Sequence, residues 1–244
     1  MKKFPFALTI SACALVSFSH VDAATVSAAG TLADLTPATN FDGDIADLDA
    51  QGRGGDGFVV FNTLPAGGNV SGAAWDANSV INTPAYVTAL VGGASAVSSG
   101  GWANYDEVTL GGNTYNTGGI NVPSPAGTES QVLSFQLTGS VPSTITIGLL
   151  TDNSDGVAWA SRNTRIEGPG AITANQSLVP NGGSDLVQFD IIGGAPGETY
   201  TIFGTSNGSG ALYGALTFDS IPEPGSMALF ATGIALIFRR RRRS

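Results

Sequence analysis

At 244 residues the chain has room for one large domain or two small ones. Charged residues make up 12%, about half the usual share, and Gly alone supplies 34 positions, which excludes a charge-rich helical enzyme; the 42% hydrophobic content excludes a disordered chain. Between Ala24 and Ile221, seventeen acids face three arginines, and this net charge of −14 repels phosphate backbones and excludes nucleic acid as a partner. Such acidity either draws cations or, more commonly, keeps a protein soluble and unaggregated.

In chain order, Lys2 and Lys3 come first, followed by a mostly apolar run from Phe4 to Phe18 and by Val21-Asp22-Ala23, with modest residues at the −3 and −1 positions. These three parts predict a secretory signal peptide over residues 1–23, handled by the Sec translocon and cut by signal peptidase between Ala23 and Ala24. Ile10-Ser11-Ala12-Cys13 loosely matches a lipidation box, but Cys13 lies inside the apolar run, not at its end, so lipidation is not expected. Cleavage after Ala23 discards the single Cys and the single His, Cys13 and His20. The mature chain then has no disulfide, no thiol nucleophile, no His-based triad and no zinc cluster of the usual kind.

The stretch Thr25 to Gly57 is polar, acidic and weakly patterned, and predicts a strand followed by a loop. Asp47-x-Asp49-x-Gln51-Gly52 follows the first half of a calcium loop, with oxygens at positions 1, 3 and 5 and Gly at 6. Position 12, where a bidentate Glu belongs, is Phe58. Asp47, Asp49 and Gln51 are therefore candidate ligands for Ca²⁺ in an irregular loop, against the commoner reading of an acidic solvated loop. No other cofactor is expected.

Beyond it the pattern turns to alternation. Phe58–Phe61 and Tyr86–Val91 are expected strands. Leu133, Phe135 and Leu137 alternate with polar residues, as do Ile145, Ile147 and Leu149, then Val187, Phe189 and Ile191; Leu212, Gly214, Leu216 and Phe218 repeat the spacing. Turn clusters separate these runs, among them Gly67-Gly68-Asn69, Gly111-Gly112-Asn113, Asp152 to Gly156 and Asn181-Gly182-Gly183. The prediction is an all-β fold, an antiparallel β-sandwich of jelly-roll or immunoglobulin-like type, forming one Gly-rich acidic ectodomain over residues 24–220. There is no internal repeat, and Pro123 to Gly127 is too short to mark a domain linker.

For chemistry, the body offers carboxylates. Asp106-Glu107 and Asp152/Asp155 are pairs of the kind glycoside hydrolysis needs, yet Asp beside Gly and Asn more often shapes turns, and no enzyme is expected. Trp75, Trp102 and Trp159 are candidates for a platform under sugar rings, or for core. Trp159 next to Asp152 and Asp155 is the best sugar-site pairing of ring and polar groups.

The last segment runs Ile221-Pro222-Glu223-Pro224, Gly225-Ser226, an apolar run Met227 to Phe238, then Arg239, Arg240, Arg241, Arg242 and Arg243. The two prolines keep the chain open and present Glu223 to a peptidase. The apolar run predicts a hydrophobic helix entering the bilayer, with the arginines fixed on the cytoplasmic side. As a helix, Gly225–Phe238 spans about 21 Å against about 30 Å of hydrocarbon, a marginal anchor suited to a pause for processing.

Residues 221–244 resemble the PEP-CTERM sorting signal in all three parts and their order. The resemblance implies an exosortase partner that cuts near Pro222-Glu223-Pro224, a transient stay in the inner membrane, and delivery to the cell surface or extracellular matrix of a bacterium that makes exopolysaccharide. In that setting the Asn-x-Ser sequons at Asn69, Asn175 and Asn207 are incidental. The expected function is a non-enzymatic surface or matrix protein associated with exopolysaccharide. The alternative is a carbohydrate-binding module on the same fold, stabilised by calcium.

Overall fold

Apolar residues at every second position put one face of an extended chain out of water and leave the other to polar groups. In the computed structural model this pattern becomes seventeen strands and one short 3-10 turn, Pro169–Ala171, among the described residues. Those residues are 23–29, 33–34, 45–63, 72–98, 107–123, 125–152, 161–178, 184–206, 208 and 210–221. Most of the predicted signal peptide, the Pro-Glu-Pro motif, the hydrophobic helix and the arginine cluster lie outside them.

The first strands are short: β1 (Thr25–Ala28), β2 (Ala33–Asp34), β3 (Ile45–Asp47), β4 (Gly57–Val60), β5 (Val80–Asn82), β6 (Val87–Gly92) and β7 (Val97–Ser98). Next come β8 (Glu107–Leu110), β9 (Asn113–Tyr115), β10 (Ile120–Val122), β11 (Glu129–Leu137) and β12 (Thr144–Asp152). The chain closes with β13 (Ser161–Glu167), β14 (Thr173–Ser177), β15 (Ser184–Ile192), β16 (Thr199–Ser206) and β17 (Ala211–Ser220). A nine-stranded sheet has the order β1-β15-β12-β17-β10-β7, with β2 also on β15, β4 on β17 and β5 on β4. Facing it is a five-stranded sheet, β14-β13-β16-β11-β6, and a small third sheet holds β3, β8 and β9. From β10 onward the chain crosses between the two large sheets at nearly every connection, so it is a sandwich of antiparallel strands, as expected; the parallel pair is β3 with β8.

The inner faces of the two large sheets make the main core. Ile145, Ile147 and Leu149 from β12, Val187, Phe189 and Ile191 from β15, and Leu216 and Phe218 from β17 meet Leu133, Phe135 and Leu137 from β11 and Tyr200 and Ile202 from β16. Phe135 stacks on Tyr200 at 5.8 Å between ring centroids and takes Phe218 edge-on at 5.4 Å. A second core lies on the other face of the nine-stranded sheet, where Phe58, Val60, Leu150, Leu186 and Ala215 meet Ala46, Leu48, Val108 and Leu110 of the small-sheet region. The molecule is therefore three layers deep there, and this explains why β17 is buried at every residue from Ala211 to Phe218.

One expected phase is corrected. Leu212, Gly214, Leu216 and Phe218 do not share a face throughout, because Tyr213 joins Leu216 and Phe218 in the main core. The register of β17 against β12 shifts where Leu150 pairs with Ala215 and Thr151 with Tyr213. This bulge skips Gly214 and flips the side-chain phase.

The ladders also fix where the two ends of the body emerge. Thr25 pairs with Ile192, Ile192 with Thr144, and Ile145 with Ser220; the Ile221 N–H then donates to the Thr144 carbonyl at 3.1 Å. Thr25 and Ser220 are thus three strand spacings apart, about 14 Å, at one end of the same sheet. The opposite pole, roughly 26 Å away along β12, collects the end of β12, the starts of β13 and β15 and the end of β16, where Asp152 pairs with Ser184 and Ser161 with Ser206.

Candidate functional site

The acidic loop between β3 and β4 is tied to the small sheet by its own carboxylates. The Asp47 Oδ1 accepts from the Ala50 N–H at 2.9 Å, closing a local turn. Asp49 reaches across to the β8–β9 hairpin, its Oδ1 accepting from the Gly111 N–H at 2.8 Å and its Oδ2 from the Gly112 N–H at 2.7 Å. Both glycines have positive φ, 60° and 75°, as a two-residue hairpin turn requires. Gln51 is exposed to solvent. Of the three candidate calcium ligands, two already serve backbone N–H groups. Among the described residues no group of three or more acidic, His or Cys side chains gathers as a metal site.

Of the grouping Trp159, Asp152 and Asp155, Asp152 falls at the pole away from the chain ends. Asp152 is the last residue of β12; Asp155, Trp159 and Trp102 lie outside the described residues. Trp75 is half-buried packing: its indole meets Phe61 edge-on at 6.2 Å and covers Gly92, where an added Cβ would run into the ring. Of the Asp106-Glu107 pair, Glu107 opens β8 and Asp106 is outside the described residues.

Two polar groupings escape a reading by turn chemistry alone. Thr151, Ser184 and Asp185 are buried side by side where β12 and β15 end at the far pole, and Asp185 is only 1% exposed. Its phase with Val187, Phe189 and Ile191 is the signal that would have placed this acid inward. The second grouping straps the base of β17, near the chain exit. The Arg53 guanidinium donates to the Gln188 Oε1, and the Asp219 Oδ1 accepts from the Gly55 N–H at 2.8 Å. Tyr86 donates its hydroxyl to the Asp56 Oδ2 at 2.8 Å. Burial, then this bond and the charges of Asp56 and Asp219, push the Tyr86 hydroxyl far above the tyrosine range. Burial likewise raises the Asp219 carboxyl, against the lowering influence of the Gly55 and Gly54 amides and Arg53. No local pattern marks this strap, since its bonds join residues 30, 135 and 164 positions apart.

Arg53, Thr146, Gln188, Asp190 and Asp219 border an open cleft of about 400 Å³ that ends at Ile221, the residue before the Pro-Glu-Pro motif. The Asp190 Oδ1 there accepts from the Thr146 hydroxyl at 2.6 Å. The Gly55–Asp219 bond ties the last strand to the β3–β4 loop, while the Arg53–Gln188 and Thr146–Asp190 bonds tie β15 to that loop and to β12.

Residues 220–243 match the family model of the PEP-CTERM protein-sorting motif, beginning at the last residue of β17. No curated protein matches the chain. Among solved structures, a family GH115 4-O-methyl-α-glucuronidase with specificity for decorated arabinogalactans overlaps 59% of this chain and 19% of its own, at 6% identity and a TM-score of 0.35. The chain thus spans about a fifth of that protein, and an overlap so loose carries no argument about fold or activity.

Proposed function

We propose that this protein is a non-enzymatic surface or matrix component, cut near Pro222-Glu223-Pro224 by an exosortase and retained among exopolysaccharide. The observation that carries the reading is the sorting motif at residues 220–243, which supports an exosortase-sorted extracellular protein. The fold is consistent with this route. Because Thr25 and Ser220 leave the sheet at one end, a signal peptide and a membrane-held tail both attach to the same pole. Processing at either end leaves every strand from β1 to β17 in place.

The test is intact-mass and C-terminal peptide analysis of the protein from its native host, with and without the exosortase. The expected product ends near Pro222-Glu223-Pro224 in the parent strain and retains Met227 to Ser244 without the enzyme. Retention of Arg239 to Arg243 in both strains would make the tail a permanent anchor and the body a tethered ectodomain.

A further inference from the structure

Where the β5 edge of the nine-stranded sheet approaches β9 of the small sheet, the fold leaves a cleft of about 500 Å³, a volume typical of small-ligand sites. Thr63, Asn78, Ser79, Val80, Thr114, Tyr115 and Asn116 line it. No charged residue is among them, although the body around it carries a net −14. A site for a cation or a phosphate needs opposing charge, and a site for a lipid needs an apolar wall. This wall is mostly amides and hydroxyls that both donate and accept, with one aromatic ring and the Val80 side chain among them. That is the complement of a neutral sugar, which presents hydroxyls on its rim and C–H groups on its faces.

The frame of the cleft is fixed by hydrogen bonds that leave its recognition groups over. Thr63 donates twice to the Asn78 carbonyl, from its N–H at 2.9 Å and its hydroxyl at 2.5 Å. The Ser79 hydroxyl accepts from the Asn62 N–H at 3.0 Å and donates to the Trp75 carbonyl at 3.3 Å. Asn78 is held at a φ of 56°, a left-handed conformation that Asn tolerates better than most residues. The side chains of Asn78 and Asn116 are exposed, and none of the described residues takes up their amides or the Tyr115 hydroxyl. Tyr115 packs against the second core and its ring is backed by Phe58 at 6.5 Å. The ring is therefore oriented before any ligand arrives, which lowers the entropic cost of binding.

We infer that this cleft binds a short segment of a neutral glycan, with Tyr115 against a sugar ring and the amides of Asn78 and Asn116 bonding its hydroxyls. The inference rests on the reading of the protein as a resident of an exopolysaccharide matrix. It assigns the contact to the cleft between β5 and β9 and not to Asp152.

The processed protein from its host is run in native gels containing a neutral β-glucan, a galactomannan or starch, with polygalacturonate as the charged control. Retardation by at least one neutral polymer is expected, and none by polygalacturonate. Asn116→Ala and Asn78→Gly should each weaken it by about ten-fold. Glycine accepts the φ at position 78, and both side chains are exposed, so these variants keep the fold; melting curves check that. Tyr115→Phe keeps the ring and should retain most binding, whereas Tyr115→Ala should lose it. Absence of retardation by every neutral polymer overturns the inference. So does retardation that survives the two Asn variants, including the case in which Trp159→Ala abolishes it and moves the contact to that residue. The mass of the C-terminal peptide is unaffected by any of these results, so the cleft can fail while the sorting reading stands.

Discussion

Asp49 spends both carboxylate oxygens on the consecutive N–H groups of Gly111 and Gly112. Asn at this position keeps one acceptor and turns an NH₂ toward the other amide, so Asp49→Asn should destabilise by about 1–2 kcal/mol, read from denaturant unfolding. If hydrogen bonding is the carboxylate's whole task, the loss is the same in chelator and in Ca²⁺. A loss seen only in Ca²⁺ would give the oxygens to an ion. Asp219 presents the opposite electrostatic case, because burial raises its carboxyl in the fold. Between the ordinary carboxylate range and that raised value the native state binds more protons than the unfolded chain, so stability falls as pH rises through the window. Asp219→Asn removes this titration and keeps an acceptor for the Gly55 N–H. The variant should melt above the parent at neutral pH, and the gap should close as pH is lowered below the window. A variant that melts lower at neutral pH would show that the two amides and Arg53 outweigh the burial.

At the scale of elements, β16 and β17 meet across the core through a missing side chain. A Cβ on Gly204 would collide with the hydroxyl of Tyr213, which is fully buried and 3.5 Å from the Thr164 hydroxyl. Gly204→Ala should cost about 1–3 kcal/mol by overpacking, and Tyr213→Phe in the same chain should recover part of it by removing the colliding oxygen. Additive losses in denaturant melts would mean the strands shift instead of clashing. Nothing in the sequence announces this pair, because the phase of β17 turns over at the Gly214 bulge. The long strands β12 and β15 are legible because one alternating apolar phase runs through them, and β11 because it keeps that phase from Leu133 to Leu137, past the irregularity at Val132. The pieces β2, β3, β5 and β7, two or three residues each, are not, because so short a run has no period to detect. The sorting tail is legible for the converse reason: its motif, apolar run and arginines are contiguous. The Tyr115 cleft takes its walls from residues 63, 78–80 and 114–116, and only tertiary structure brings those together. Asp49 is a candidate calcium ligand by a spacing that suits a turn clamp equally well.

For the whole molecule, the second core decides whether the small sheet is an appendage or part of the cooperative unit. Leu110 and Val108 are fully buried against Phe58, Val60, Leu150 and Ala215, and the last four belong to strands whose other faces build the main core. Opening the small sheet would therefore expose the outer face of β4, β12 and β17 as well. Loss of that packing should propagate through the shared strands. The chain trimmed to residues 24–221 is expected to melt in one calorimetric transition, with equal calorimetric and van 't Hoff enthalpies. Phe135→Ala in the main core and Leu110→Ala in the second should each lower that same transition, by about 3–5 and 2–5 kcal/mol. If Leu110→Ala splits the transition in two, the small sheet unfolds on its own. The cleft beside Tyr115 would then open with it, since β9 supplies one wall. A single transition means that the packing which buries β17 on both faces also holds that wall in register with β5.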